Sequence, residues 1–147
     1  MRGISLSEPW ATLVAIGAKK LETRSWSTSY VGPVAIHAAK RFPNEYRSLL
    51  AEEPFRSALE RVNPTGKRWL GCVLAVGELT ACNEITLDNA PDVETAEYEF
   101  GDYTPGRFMF SLARVRRLAR PIPLRGALGL WSVPPDIASL ILASEFK

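Results

Sequence analysis

Gly71-Cys72-Val73-Leu74-Ala75-Val76-Gly77-Glu78-Leu79 is an apolar run interrupted only by Glu78 near its end. A strand with one wet face alternates apolar and polar residues, so a run without alternation predicts a strand covered on both faces. Layers must therefore lie on each side of the sheet, and the flanking sequence has to supply them. Arg107–Leu118 reads as a second long strand, with Phe108, Phe110 and Leu112 on one side. Pro33–Ala38 (PVAIHA) is an apolar strand after the Gly32-Pro33 turn, and Ile4–Leu6 is a short apolar run. Lys20–Trp26 looks extended, placing Lys20, Glu22 and Arg24 on one face and Leu21 and Thr23 on the other. Pro121–Pro123 is expected to start an edge segment, because proline cannot donate to a central ladder.

Helices fill the gaps. Ser7, Glu8 and Pro9 open a short one over Pro9–Ile16, whose Trp10, Leu13 and Val14 form a buried face and whose stop is Gly17. Asn44–Glu52 and Pro54–Val62 read as two helical pieces broken by Pro54, with Leu49, Leu50, Phe55, Leu59 and Val62 inward. Pro134 and Pro135 open a C-terminal helix with Ile137, Leu140 and Ile141 inward. Strands and helices do not alternate regularly, which excludes a doubly wound sheet. The expected class is α+β: a small, mixed, mostly antiparallel β-barrel with short helices packed outside, one domain over residues 1–147.

Composition narrows the function classes. The 147 residues are 46% hydrophobic and 23% charged, which excludes a disordered chain. No apolar run approaches the roughly 18 residues of a membrane helix, and the N-terminus carries no apolar signal core, so a soluble cytoplasmic protein is expected. Two cysteines and one histidine fall short of a structural zinc site, so no metal and no cofactor is expected, and Cys72 and Cys82 are expected buried and reduced. The net charge of +2 conceals two blocks. Seven acids and no base lie between Glu84 and Asp102; six arginines and no acid lie between Arg107 and Arg125. Arginine outnumbers lysine 13 to 5, a bias suited to bidentate recognition of phosphate. The blocks are either solvated surface or an anion-binding face beside an acidic flap.

Chemistry concentrates in Gly17-Ala18-Lys19-Lys20-Leu21-Glu22-Thr23-Arg24-Ser25-Trp26, where an amine, a carboxylate and a guanidinium meet at a helix–strand junction. Glu22 and Arg24 share a strand face at a spacing a long side chain can bridge. Such a pair is either a plain surface ion pair or part of a site.

Gly17-x-Lys19-x-x-Glu22-x-Arg24, after Pro9-Trp10-Ala11, resembles the signature of the ASCH domain family, a branch of the PUA-like β-barrels. Gly101-Asp102-Tyr103-x-Pro105-Gly106-Arg107-Phe108, Pro121-Ile122-Pro123-x-Arg125-Gly126 and Gly129-Leu130-Trp131 agree with it, extending the likeness over residues 4–131. The resemblance implies a pocketed barrel that binds RNA or a nucleoside. Some members resemble amidohydrolases acting on N4-acetylcytidine and others have been described as ribonucleases. In the amidohydrolase-like members a lysine, a threonine and a distant glutamate are taken as catalytic. Lys19 matches the lysine; Glu22 stands where the threonine would be; Glu78, Glu97 and Glu99 are candidates for the glutamate.

Catalytic roles therefore fall to Lys19 and Glu22. Amide hydrolysis needs a base for water, a donor for the oxyanion and an acid for the leaving amine. Glu22 can be the base and Lys19 or Arg24 the donor, while Thr23 is expected on the opposite face. Substrate contacts are expected from Arg24, Trp26, His37, Lys40, Tyr103 and Arg107. Trp26 and Tyr103 are either stacking platforms or core, whereas Trp10 and Trp131 read as core. Arg114, Arg116 and Arg117 suit a solvated or phosphate-facing edge. A non-catalytic RNA-binding module is the rival reading, with RNA or a modified nucleoside the partner in either case.

Overall fold

The computed structural model of the chain describes residues 1–62 and 68–147. Its strands are β1 (Arg2–Leu6), β2 (Leu21–Arg24), β3 (Gly32–Ala38), β4 (Cys72–Glu84), β5 (Phe108–Pro123) and β6 (Leu130–Ser132). Its helices are α1 (Trp10–Ala15), α2 (Asn44–Arg47), α3 (Phe55–Glu60), α4 (Ala96–Glu99) and α5 (Pro135–Leu142), and a 3₁₀ turn, Ser48–Ala51, follows α2. The strands form one sheet in the order β2-β5-β4-β3-β1-β6. All neighbours are antiparallel except β1 and β3.

The sheet curls into a half barrel because the long β4–β5 ladder slips register in three places. Bulges of this kind bend and twist a strand pair. At one of them Gly77 lies opposite Arg114 and Val115, and Arg114 takes a left-handed φ of 50°. A Cβ on Gly77 would stand 2.8 Å from Val115 Cγ2 and 3.0 Å from the Ala113 carbonyl, so only glycine fits. At another, the partners of Val73 and Ala75 jump from Ile122 to Arg117, leaving Leu118–Pro121 out of the ladder. Pro121–Pro123 is therefore not a separate edge segment but the end of β5. Pro121 is tolerated because it falls in the bulged stretch, and Pro123 closes the ladder against Cys72.

β4 is covered on both faces, as its apolar run predicts. Inside the curl, Ile4, Leu6, Ile36, Leu74, Phe110 and Leu112 pack with Ala11, Val14 and Ala15 of α1. Outside it, Val73, Val76, Leu118, Ile122, Trp131 and Ile141 form a second layer closed by α5. A third cluster joins Leu13 of α1 to Phe55, Leu59 and Phe100. Two expected core positions are exposed instead: Val62, which lies beyond the end of α3, and Leu140, since α5 buries only the side of Ile141. Leu49 and Leu50 are half-buried. Both cysteines are free; Cys72 is buried, which pushes its thiol up to about 11, while Cys82 is only half-buried. Among the described residues no helix is long and apolar enough to cross a membrane.

Candidate functional site

The half barrel leaves a seam. β2 is one edge of the sheet, and β6 pairs only with Arg2–Ile4, so Ser5 lies past the end of that pairing. Arg24 of β2 closes the gap by donating from Nη2 to the Ser5 carbonyl at 2.9 Å and to Glu22 Oε2 at 3.1 Å. A cavity of about 520 Å³ opens along this seam, with Ser5, Glu22, Thr23 and Arg24 on one side and Trp10 and Tyr46 on another. Glu99, Asp102 and Arg107 also line it. The volume is in the ordinary range for small-molecule sites, roughly 300–1,000 Å³.

The turn after α1 aims the next residue inward. Gly17, with φ +80°, ends the helix, and the backbone N–H groups of Ala18 and Lys19 both donate to the Leu13 carbonyl at 3.0 Å. The Lys19 side chain is thereby led behind the cavity wall, where the residue is 1% exposed. Its Nζ donates to the Leu21 carbonyl and lies 3.9 Å from Glu22 Oε1. Burial lowers the Lys19 pKa because the ammonium loses its water; the charges of Glu22 and Glu97 oppose that, and Arg24 adds to it. Glu22 is held from both ends, by the Thr23 N–H on Oε1 at 2.9 Å and by Arg24 on Oε2.

α4 supplies the third carboxylate. Thr95 caps its start, and Glu97 Oε1 accepts from the Lys20 N–H at 2.6 Å. Glu97 Oε2 and the Tyr103 hydroxyl are both buried without a hydrogen-bond partner among the described residues. Burial, together with the charges of Glu97 and Glu22, pushes the Tyr103 phenol well above its ordinary range. Tyr103 stacks on Tyr98 at 5.7 Å and does not line the cavity. Buried Lys19 and Tyr103, with the half-buried Glu97, thus form a layer behind Glu22. Of the three glutamates, Glu97 sits beside Lys19, Glu99 lines the cavity, and Glu78 pairs with Arg114 on the exposed surface.

The remaining candidates divide. Arg107 lines the cavity, and its Nε donates to the Asp102 carbonyl at 3.2 Å. Thr23 lines the cavity as Glu22 does, although the two alternate along the strand, because the cavity wraps around an edge strand; its Oγ1 accepts from the Asp102 N–H at 3.2 Å. Trp26 is outside the cavity and packs edge-on against Phe110 at 5.1 Å. His37 and Lys40 are also outside it and line a separate cleft. Trp10, expected in the core, packs half-buried against two core clusters and also borders the cavity, meeting Tyr46 edge-on at 4.9 Å. Tyr46 carried no sequence signal, since it reaches the site only through the packing of α2 against Trp10. Trp131 is core, and donates to Ser5 Oγ at 3.2 Å. Among the described residues no three His, Cys, Asp or Glu side chains converge as a metal site.

A curled six-stranded half barrel with short helices around it is the PUA-like architecture. The chain belongs to the ASCH domain family, which it matches over residues 4–98. It is similar in fold to the crystal structures of an ASCH protein from Zymomonas mobilis and of a point mutant of that protein. Both align at 16% identity with a TM-score of 0.60, covering 98% of this chain and 95% and 98% of theirs. Comparison with curated protein sequences finds no match.

Proposed function

We propose that the protein binds RNA or a nucleoside in the seam cavity and hydrolyses an amide on a modified base of the N4-acetylcytidine type. The observation that carries this reading is the Lys19 amine, buried 3.9 Å behind a Glu22 carboxylate that lines the cavity. An ionic group buried at a cavity wall is costly even when paired, and such groups cluster at functional sites. Membership of the ASCH family, a PUA-like family that generally binds RNA, supports the partner class.

In this reading Glu22 takes a proton from water, and the resulting hydroxide oxygen bonds to the acetyl carbon. Arg24, in the cavity wall, donates to the oxyanion that forms. The carbon–nitrogen bond then breaks, the proton held by Glu22 goes to the exocyclic nitrogen, and the free amine leaves with acetic acid, which gives its proton to water and becomes acetate. Lys19 acts through Glu22: its charge, 3.9 Å from Oε1, holds the carboxylate in place. Trp10 and Tyr46 offer aromatic surface to a base, worth about 1–3 kcal/mol per stacked platform.

Incubation with N4-acetylcytidine and with short single-stranded RNAs, followed by chromatography, tests the reading. Release of cytidine and acetate supports it. Shortened RNA points to ribonuclease action instead. Binding without turnover makes the protein a non-catalytic reader, a reading favoured by the engagement of both Glu22 oxygens with Thr23 and Arg24.

A further inference from the structure

We propose that the base in the seam cavity is presented by single-stranded RNA rather than as a free nucleoside, and that an adjoining phosphate is held by Lys40 and Arg125 in the neighbouring cleft. This rests on the reading of the seam as the nucleoside pocket and adds to it the form of the substrate.

The neighbouring cleft, about 830 Å³, lies between the end of β3 and the segment that follows β5. It shares Ser5 with the seam cavity, so the two openings adjoin across a single residue. Their charges differ. Glu22, Glu99 and Asp102 line the seam with Arg24 and Arg107, each already paired to one of those acids, whereas among the described residues the cleft has no acid and carries Lys40 and Arg125. A phosphodiester leaving the seam meets carboxylates on one side and cations across Ser5.

Those cations are uncommitted. Lys40 and Arg125 are exposed, and among the described residues neither makes an ion pair, unlike Arg24, Arg107 and Arg114. Of the four arginines on β5 two are engaged, Arg114 with Glu78 and Arg116 over the Phe146 ring at 4.0 Å, and none of the four lines the cleft.

The floor between the two openings is fixed. Trp131 Nε1 donates to Ser5 Oγ, and the His37 ring spans Ser5 Oγ at 3.0 Å and the Leu124 carbonyl at 2.7 Å. A carbonyl only accepts, so Nε2 carries the proton and Nδ1 takes the hydrogen of Ser5. Burial lowers the His37 pKa, which favours this neutral ring. Gly126 lies directly on the network: a Cβ there would stand 2.3 Å from Ser5 Oγ and 2.7 Å from His37 Cε1. The chain carrying Arg125 is thus seated against the same serine whose carbonyl anchors Arg24. The spacing between seam and cation is built into the backbone.

The test measures binding of a fluorescein-labelled five-nucleotide single-stranded RNA by anisotropy across a salt series, and of N4-acetylcytidine by calorimetry. Each phosphate contact on a single strand contributes about −0.7 to the log–log salt slope, so K40A/R125A is expected to flatten it by about 1.4 and weaken RNA binding about tenfold. Nucleoside affinity should stay at the wild-type value, and R114A/R116A should bind RNA as wild type does. An unchanged slope in K40A/R125A, or a flattened one in R114A/R116A, overturns the inference. Wild type that binds the nucleoside but not the RNA overturns it alone. Wild type that binds neither overturns the proposed function with it.

Discussion

Glu22–Arg24 and Glu78–Arg114 are chemically the same pair on one sheet, and they sit in different surroundings. The Glu78 and Arg114 side chains are 44% and 65% exposed, and they meet on the exterior of the β4–β5 bulge. The Glu22 and Arg24 side chains are 11% and 23% exposed, with the Ser5 carbonyl, the Thr23 N–H and the Lys19 ammonium around them. In water the attraction between two charges is screened and a mobile pair gains little. Where water is largely removed, the same charges hold one another in fixed positions and can act on a third group. The pairs teach that local charge pattern does not make a site; its setting in the fold does.

Glu22→Gln removes the carboxylate base while keeping the shape, and should lower turnover of N4-acetylcytidine by roughly 10²-fold or more. Full activity in that variant would place the base elsewhere and reduce the seam pair to the level of its exposed counterpart.

Glu97→Gln sharpens the role of burial. Lys19 holds Glu22 while it is protonated, so activity should fall as pH rises through the Lys19 pKa, which burial sets below the ordinary lysine value. Loss of the Glu97 charge removes one of the two groups opposing that shift. The alkaline limb of the pH–rate profile should move to lower pH, and an unmoved limb would dissociate Lys19 from catalysis.

Arg24→Ala opens the seam and removes the oxyanion donor. Nucleoside affinity should drop about tenfold, in keeping with the roughly 1.5–3 kcal/mol of a hydrogen bond to a charged group, and turnover should drop further. Calorimetry and initial rates separate the two effects.

Thr23→Val leaves the Asp102 N–H without its acceptor and should cost about 1 kcal/mol of stability by urea unfolding, with a smaller loss of affinity. A silent variant would mean that the hydroxyl does not help to hold the Asp102 segment at the cavity.

Arg114→Ala is the counterpart at the exposed pair and should leave turnover, RNA binding and the urea midpoint unchanged. A marked loss would break the comparison, since solvent exposure would then not be what separates the two pairs.

Much of this was readable in the residues themselves. The unalternating Gly71–Leu79 run required a strand covered on both faces, and β4 is that strand, since only a buried position leaves an apolar side chain unpenalised on either side. Gly17 marked the end of α1 because a left-handed turn is cheap only for glycine. Lys19, Glu22 and Arg24 stood out by density and by resemblance, and the chain places all three at or directly behind one cavity. These features depend on contacts between near neighbours, which sequence spacing encodes.

Other features depend on which distant segments meet, and spacing is silent about that. The bulges of β4 and β5 curl the sheet until Ser5 comes within reach of Arg24, and only then does a seam exist. Curling puts Thr23 in the cavity with Glu22 although the two alternate along the strand. It leaves Trp26 against Phe110, turns Lys40 to a second opening, and brings Trp10 and Tyr46 to the first. α4 carries Glu97, not Glu78, to Lys19, a choice among three equivalent carboxylates that nothing in their local sequence could make. Sequence determined the elements and the chemically able residues, because propensity and burial act locally. The tertiary structure decided which of those residues share a dry space, because a charge acquires its function from the water it has lost and the partners that replace it.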